Sequence, residues 1–390
     1  MTFEEVAKTV GVNTYPEKMA NFYYAEDKSV ACDLSLIDNL QREYRLFGDY
    51  YDVVKECAVQ CNGSTAHSAW VRTAVAFARA GDFFEAKSVP APAADGTLLT
   101  SMLPFYILVA QIPDSIAEYR RRGFSEDEIP GLVSVYRASL SAVKYRTGMP
   151  GIDTTLYAWD TYFIKAQIFN AGGLQFELKT LPNRALYLRE KATGRIVPLM
   201  CNGLCHHSGV QMIGSAGYDD DKGAFTCRFS EDDTQYYGNA VIDGVVEATE
   251  RSYPKTEWEC VLRPGDHCLS MHIPSGADIS VEATDKAIAT ARQLVKERFP
   301  EFSGERVYCC SWLLDPTLGK LLGDQAKITQ FQKRYVRIPE ICDGMQVFGN
   351  VFLGRFDSYN ELPENTRLQR TLKDLYVNGG HIYNYSGVIF

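Results

Sequence analysis

The chain has no excess of positive charge. Its 40 Lys and Arg face 49 Asp and Glu, for a formal net charge of −9. A nucleic-acid binder neutralises phosphates with clustered Lys and Arg, so this balance argues against that class of partner. No uninterrupted apolar stretch is long enough to span a bilayer. The N-terminal run Met1-Thr-Phe-Glu-Glu-Val6 lacks the basic and apolar blocks of a secretion signal. The expectation is a cytoplasmic chain that needs no membrane partner and keeps its cysteines as thiols. There are 11 of them, an odd number in a long chain, which does not fit a disulfide scaffold. Internal repeats and low-complexity segments are also missing.

What is present is ordinary for a folded protein. The 390 residues suggest two or three domains, and a 46% hydrophobic share is enough for sizeable cores. The first part reads as helical. Thr2 with Glu5, and Ser125 with Glu128, have the spacing of capping boxes. Apolar residues recur at helical spacing through Trp70, Ala74, Phe77 and Ala78, with Gly81 as the stop. Two prolines and a glycine make 88–96 a loop. Helices are expected over 126–146 and 154–169, the latter stopped by Gly172-Gly173. The pattern then changes. Leu174-Gln-Phe-Glu-Leu178 alternates as a strand, and two apolar runs flank Ala192-Thr-Gly194 as a hairpin. The division is an all-helical domain, 1–146, and a mixed α/β domain, 147–390.

The most informative stretch is 258–338. It reads strand, turn at Arg263-Pro-Gly-Asp266, strand to Ile273, and a short loop at Pro274-Ser-Gly276. A helix over 281–298, a strand over 306–314, a helix over 317–334 and a short strand over 335–338 follow. A strand that runs through a Gly-containing loop into a helix is a common cradle for phosphate. Free backbone N–H groups and the positive end of the helix dipole meet there.

Several runs resemble a bacterial family of predicted N-acyltransferases with a helical N-terminal domain and a GNAT-like C-terminal domain. They are Ala171-Gly-Gly-Leu-Gln-Phe-Glu177, Gly265-Asp266, His272-Ile-Pro-Ser-Gly276, Cys310-Ser-Trp-Leu-Leu-Asp-Pro316 and Phe331-Gln332. The resemblance implies an α+β fold, with a helical domain followed by a mixed, largely antiparallel sheet. It also implies acyl transfer to an amine, expected to be a small molecule, from acyl-coenzyme A or acetyl-coenzyme A; no metal is expected. GNAT enzymes hold the pyrophosphate with a basic or Gln residue followed by two closely spaced glycines. Here Pro274-Ser-Gly-Ala-Asp278 has one glycine and no basic residue. Glu282 and Asp285, in the first turns of the next helix, suit its dipole but repel a diphosphate.

Acyl transfer needs a base for the ammonium proton, donors for the developing oxyanion and two reactants held together. His272 closes a strand just before the phosphate loop, and an unperturbed imidazole has its pKa near neutrality, so it is the candidate base. The alternative is a His packed under the loop. Ile273, Pro274, Ser275 and Gly276 are the candidate coenzyme contacts, joined by Trp312. Lys286 and Arg292, on the next helix, offer charge. Cys310 and Ser311 complete the catalytic candidates. A Cys nucleophile implies a covalent route, whereas a free Cys in a central strand is commonly a small hydrophobe. Alternation pairs Cys309 with Ser311 on one face and Cys310 with Trp312 on the other. The favoured mechanism is direct attack by the amine. His272 takes the proton and a backbone N–H near Cys310 holds the oxyanion.

Asp315 and Pro316 read as the start of a helix. The run Cys201-Asn-Gly-Leu-Cys-His-His207 has potential zinc ligands, but not at a paired-cysteine spacing. Gly214 to Asp220 reads as a polar loop. Tyr157, Tyr162, Tyr236, Tyr237, Tyr383 and Tyr385 leave the general acid open. Two rivals remain at this point. One is a noncatalytic small-molecule binder that keeps the fold without coenzyme A. The other is a cupin-like metal enzyme, which the long helices after residue 280 argue against.

Overall fold

The computed structural model describes residues 1–92, 96–218, 221–354 and 356–390. Ala93, Ala94 and Asp95 of the expected 88–96 loop lie outside the described residues. The chain forms two compact units, Met1–Phe169 and Asn170–Phe390.

The first unit is helical, with long helices at Leu34–Tyr44, Tyr51–Gly63, Thr65–Ala80, Leu98–Val109, Ile112–Arg121, Ile129–Thr147 and Thr154–Ile164. Thr2 and Glu5 form the expected capping box. Thr2 Oγ1 accepts from the Glu5 N–H at 3.2 Å, and Glu5 Oε2 accepts from the Thr2 N–H at 2.8 Å. At Ser125 only the return bond to Glu128 forms, and the helix starts at Ile129. Leu98–Arg121 is long and apolar enough to cross a membrane by length and composition. However, 72% of its apolar window is buried inside the fold, as in a core helix. Trp70, Phe77, Tyr106, Tyr119 and Tyr136 fill this core.

The helix Thr154–Ile164 belongs to this unit and stops five residues before the expected end. The next apolar residues form strand β1 (Ile168–Ala171). Gly172 and Gly173, at φ +57° and +82°, make the two-residue turn into β2 (Leu174–Thr180). Both central residues of such a hairpin turn need positive φ, which is why two glycines stand there rather than a helix stop. A Cβ on Gly172 would also lie 2.8 Å from Ala287.

The second unit contains β3 (His267–His272), β4 (Val307–Ser311), β5 (Val336–Pro339) and β6 (Tyr385–Ile389). With β1 and β2 they form one sheet in the order β1-β2-β3-β4-β6-β5. β3 and β4 pair in parallel, whereas β2/β3, β4/β6 and β5/β6 are antiparallel. The fold is therefore the expected α+β, with a mixed, largely antiparallel sheet. A second sheet holds Ala185–Glu190 and Ile196–Met200, the expected hairpin, along with Gln235–Ile242 and Trp258–Leu262. Leu181, Tyr187, Leu262, Cys268, Tyr308 and Val388 pack together between the two sheets.

Helix α1 (Val281–Arg298) follows β3 and is capped by Ser280, whose Oγ accepts from the Ala283 N–H. The expected single helix over 317–334 is two helices, α2 (Pro316–Leu322) and α3 (Lys327–Gln332). Gly323, at φ +82°, ends the first of them. Asp315 caps α2, with Pro316 at its first position, as the sequence indicates. The buried Asp315 carboxylate accepts from the Thr317 N–H and from the Tyr383 N–H, both at 2.7 Å. It thereby ties the helix start to the chain leading into β6. Asp315→Ala is expected to cost about 2–4 kcal/mol in denaturant unfolding of the full chain, because a cap and a second buried donor lose their acceptor. Asp315→Asn keeps an acceptor and should cost less than the alanine change. Equal losses in the two variants would contradict this account.

Candidate active site

The site is built where β3 and β4 part. Their ladder consists of two pairs, Leu269↔Val307 and Ser270↔Tyr308. Both strands then run on, through His272 and through Ser311, each held on its outer side. Gln175 to Thr180 pair with β3, and Tyr385 to Ile389 pair with β4. Along a strand, alternate residues turn their main-chain groups to opposite neighbours. The Leu269 N–H reaches the Arg306 carbonyl at 2.8 Å, so β3 faces β4 through Leu269 and next through Met271. By the same alternation β4 faces β3 through Tyr308 and next through Cys310. The Met271 N–H still closes the ladder onto Tyr308, so the Met271 C=O and the Cys310 N–H are the main-chain groups that turn into the gap.

Register also sets the side chains. Gln175, His272, Cys310 and Ser386 share one face, and so do Glu177, Ser270 and Tyr308 one row back. His272 and Glu177 are diagonal neighbours on that face. His272 Nε2 donates to Glu177 Oε2 at 2.9 Å, and Lys179 Nζ lies 3.3 Å from the same carboxylate. Glu177 is buried and His272 half-buried. Burial by itself pushes the Glu177 carboxyl up, but the hydrogen bond from His272 and the charge of Lys179 outweigh it and hold the carboxyl below its usual range. A carboxylate on Nε2 fixes the imidazole tautomer with its lone pair on Nδ1 and stabilises the imidazolium that proton uptake creates.

Glu177 is the residue that sequence reasoning missed. It stood inside the Leu174-Gln-Phe-Glu177 run that carries the family resemblance. Only the β2/β3 register shows that it meets His272.

Cys310 is open to solvent yet densely surrounded, the combination a side chain has in the wall of a crevice. Burial and the nearby Glu340 carboxylate push its thiol up to about 12. Glu340 is itself held by Arg184 at 3.2 Å and by the Ser386 hydroxyl at 2.7 Å. Cys309 is buried. Ser311 is drawn into local structure: its Oγ accepts from the Leu313 N–H at 3.1 Å and caps the short helical turn Trp312–Leu314. That turn ends the strand, so alternation stops at Ser311 and does not place Trp312 beside Cys310. Trp312 is buried in a cluster with Leu318, Val347, Phe352, Leu362 and Leu372.

After His272 and Ile273, the Pro274 carbonyl accepts from the Ala277 N–H at 3.1 Å and closes a turn with Gly276 at φ +80°. Positive φ at that position marks a type II turn and accounts for the glycine. A Cβ there would meet no atom within 4 Å, so the turn is open on that side. The acids around it are largely engaged. Asp278 accepts from the Ser280 N–H at 3.0 Å and from Lys327 Nζ at 3.2 Å, and these contacts hold its carboxyl below the usual range. Asp285 is paired with Arg334. Two cations from around α3 thus stand beside a loop that has none of its own. Lys286 is exposed, and Arg292 donates to the Glu305 carbonyl at 3.0 Å.

From the 201–207 run, His206 and His207 converge with Asp221, all three ligand atoms lying within 4.8 Å of one another. His207 Nδ1 is 2.8 Å from Asp221 Oδ2, and His206 Nε2 is 3.6 Å from it. Cys205 instead pairs with Cys227 in a buried cluster. Asp219 and Asp220 lie outside the described residues. Among the candidate tyrosines, Tyr237 donates to Asp232 at 3.0 Å and Tyr385 to the Val210 carbonyl at 3.1 Å.

A mixed sheet whose parallel pair parts over a glycine turn and a long helix is the frame of a GNAT-like domain. The family described as the GNAT-like C-terminal domain matches residues 168–389, more than half of the chain, and the chain belongs to it. Among solved structures, an acyltransferase in complex with decanoyl-CoA and teicoplanin is 16% identical, with a TM-score of 0.65 over 100% of this chain and 99% of that one. An acyltransferase in complex with CoA and 10C-Teicoplanin is 17% identical, with a TM-score of 0.65 and the same coverage. An acyltransferase mutant in complex with octanoyl-CoA is 16% identical at 0.66, again over 100% and 99% of the two chains. At such identities the likeness speaks for the fold. No curated protein matches the chain.

Proposed function

We propose that the chain is an acyl-coenzyme A-dependent N-acyltransferase that works by direct attack of an amine on the thioester. The observation that carries this reading is the gap between β3 and β4, edged by the Glu177–His272 pair. It is supported by family membership and by the acyl-CoA complexes of the similar solved structures.

The pantetheine arm lies along the gap and pairs with the Met271 main chain as a strand would. The Cys310 N–H stabilises the carbonyl oxygen as it gains charge. Nδ1 of His272 takes the proton from the amine while Glu177 holds the charged ring. The C–N bond forms, the C–S bond breaks, and coenzyme A leaves as a thiolate. The Ser275 and Gly276 amides and the N-terminus of α1 face the diphosphate, with Lys327 and Arg334 offsetting Asp278 and Asp285. Similar structures bind octanoyl-CoA and decanoyl-CoA, and two hold teicoplanin or its 10C form. The acceptor proposed here is a small-molecule amine.

Thiol release from acetyl- to decanoyl-coenzyme A with pooled amines tests the reading. Release that requires an amine is expected, and no release with any donor would overturn it. A thiol pushed up to about 12 is ionised at neutral pH only to the order of 10⁻⁵, too little for a nucleophile. Cys310→Ser should therefore leave the rate within about threefold of wild type. A loss of about 10³-fold or more would instead establish a covalent acyl-enzyme. The noncatalytic binder remains the second reading, favoured by the single glycine and the absence of a basic residue in Pro274-Ser-Gly-Ala-Asp278. Saturable heat on titration with any acyl-coenzyme A, together with thiol release, would exclude it.

A further inference from the structure

We propose that the second unit carries a separate anion site, a cleft of about 450 Å³ between α2, α3 and β5 that takes a phosphate dianion. Arg337 forms its base. The guanidinium is half-buried, and Nη1 donates to the Leu314 carbonyl at 3.3 Å and to Gln332 Oε1 at 3.4 Å. Among the described residues no carboxylate lies within ion-pair distance of it. Asp315 and Asp243 act on it from farther away, and the Asp315 oxygens already accept from Thr317 and Tyr383. A half-buried cation with its acids held at a distance leaves room for an anion at its side.

The wall of the same cleft also holds a buried polar side chain. Thr329 lines it, is only 4% exposed, and its buried Oγ1 has no hydrogen-bond partner among the described residues. Lys320 stands exposed at the rim, and Lys333 is paired with Asp324 at 3.0 Å. Three cations against one carboxylate leave two positive charges, which match a phosphomonoester at neutral pH. None of the lining residues belongs to the 274–277 turn. The phosphate comes either from a separate phosphate-bearing molecule or from the 3′-phosphate of coenzyme A.

Inorganic phosphate titrated at constant ionic strength, with chloride as the control, tests the site by calorimetry. The full chain should bind it saturably. Lys320→Gln, a change at an exposed position, should weaken binding about 3–10-fold, and Arg337→Gln about tenfold or more. If Arg337→Gln fails to fold, the Lys320 variant decides. No saturable binding, or binding unchanged by Lys320→Gln and lost on substituting Gly276, would overturn the proposal. A second arm repeats the titration with saturating coenzyme A or dephospho-coenzyme A. Displacement by coenzyme A but not by the dephospho form identifies the 3′-phosphate. Phosphate binding alongside coenzyme A identifies a separate ligand. This second arm rests on the acyl-coenzyme A reading, and the first does not.

Discussion

His272→Ala should lower kcat/KM for acyl transfer by about 10³-fold, and Glu177→Gln by about 10²-fold, with little change in acyl-coenzyme A affinity. The two side chains act as one unit. Removing the imidazole removes the proton acceptor, and what Glu177 contributes goes with it. The double variant should therefore be no slower than His272→Ala alone, a non-additivity that two independent structural defects would not produce.

Stability gives a second check on the same pair. The Glu177 carboxyl is held below its usual range in the fold, so the folded state binds fewer protons than the unfolded chain. Its contribution is present above the unfolded carboxyl value and is lost as pH falls through the lowered one. Glu177→Gln should flatten that acid-side loss. Variants with wild-type turnover would remove His272 and Glu177 from the mechanism.

Gly276→Val should raise the dissociation constant for acyl-coenzyme A at least tenfold. The effect comes from the backbone. The residue sits at φ +80°, where a β-branched side chain is strained by about 1–2 kcal/mol, enough to re-form the turn with its amides aimed elsewhere. Tenfold in affinity corresponds to about 1.4 kcal/mol. Gly265 is a matched control. It sits at φ +90° in the Arg263–Asp266 turn at the other end of β3, and a Cβ there also meets no atom within 4 Å. Gly265→Val should lower the unfolding temperature by a similar amount and leave acyl-coenzyme A affinity unchanged. Equal weakening by both changes would mean that only general stability had been lost.

Much of the site frame is readable in the sequence because it is local. Cys268 to Gly276 and on through α1 follow one another with clear period changes, and Gly276 marks its turn. The pieces that escape are those set by register and by distant segments. Glu177 meets His272 through a diagonal pair between strands about 95 residues apart in sequence. The apolar residues from Phe163 to Phe169 suit a helix as well as a strand. Only Gly172 and Gly173, both at positive φ, decide for the hairpin. Strand β6 comes from the last residues of the chain and inserts between β4 and β5, a placement no local pattern announces. Ser311 and Trp312 look like a continuing strand. A hydroxyl cap and a short helical turn make them part of the scaffold instead. Gly323 divides what reads as one amphipathic helix.

The central claim is that the acyl donor occupies the gap between β3 and β4. Hydrogen exchange of the full chain, with and without decanoyl-coenzyme A, tests it directly. Protection is expected in peptides covering 268–276 and 307–312, where the Cys310 and Gly276 amides and the Met271 carbonyl meet the donor. Unchanged exchange in both segments at a saturating donor concentration would contradict the account.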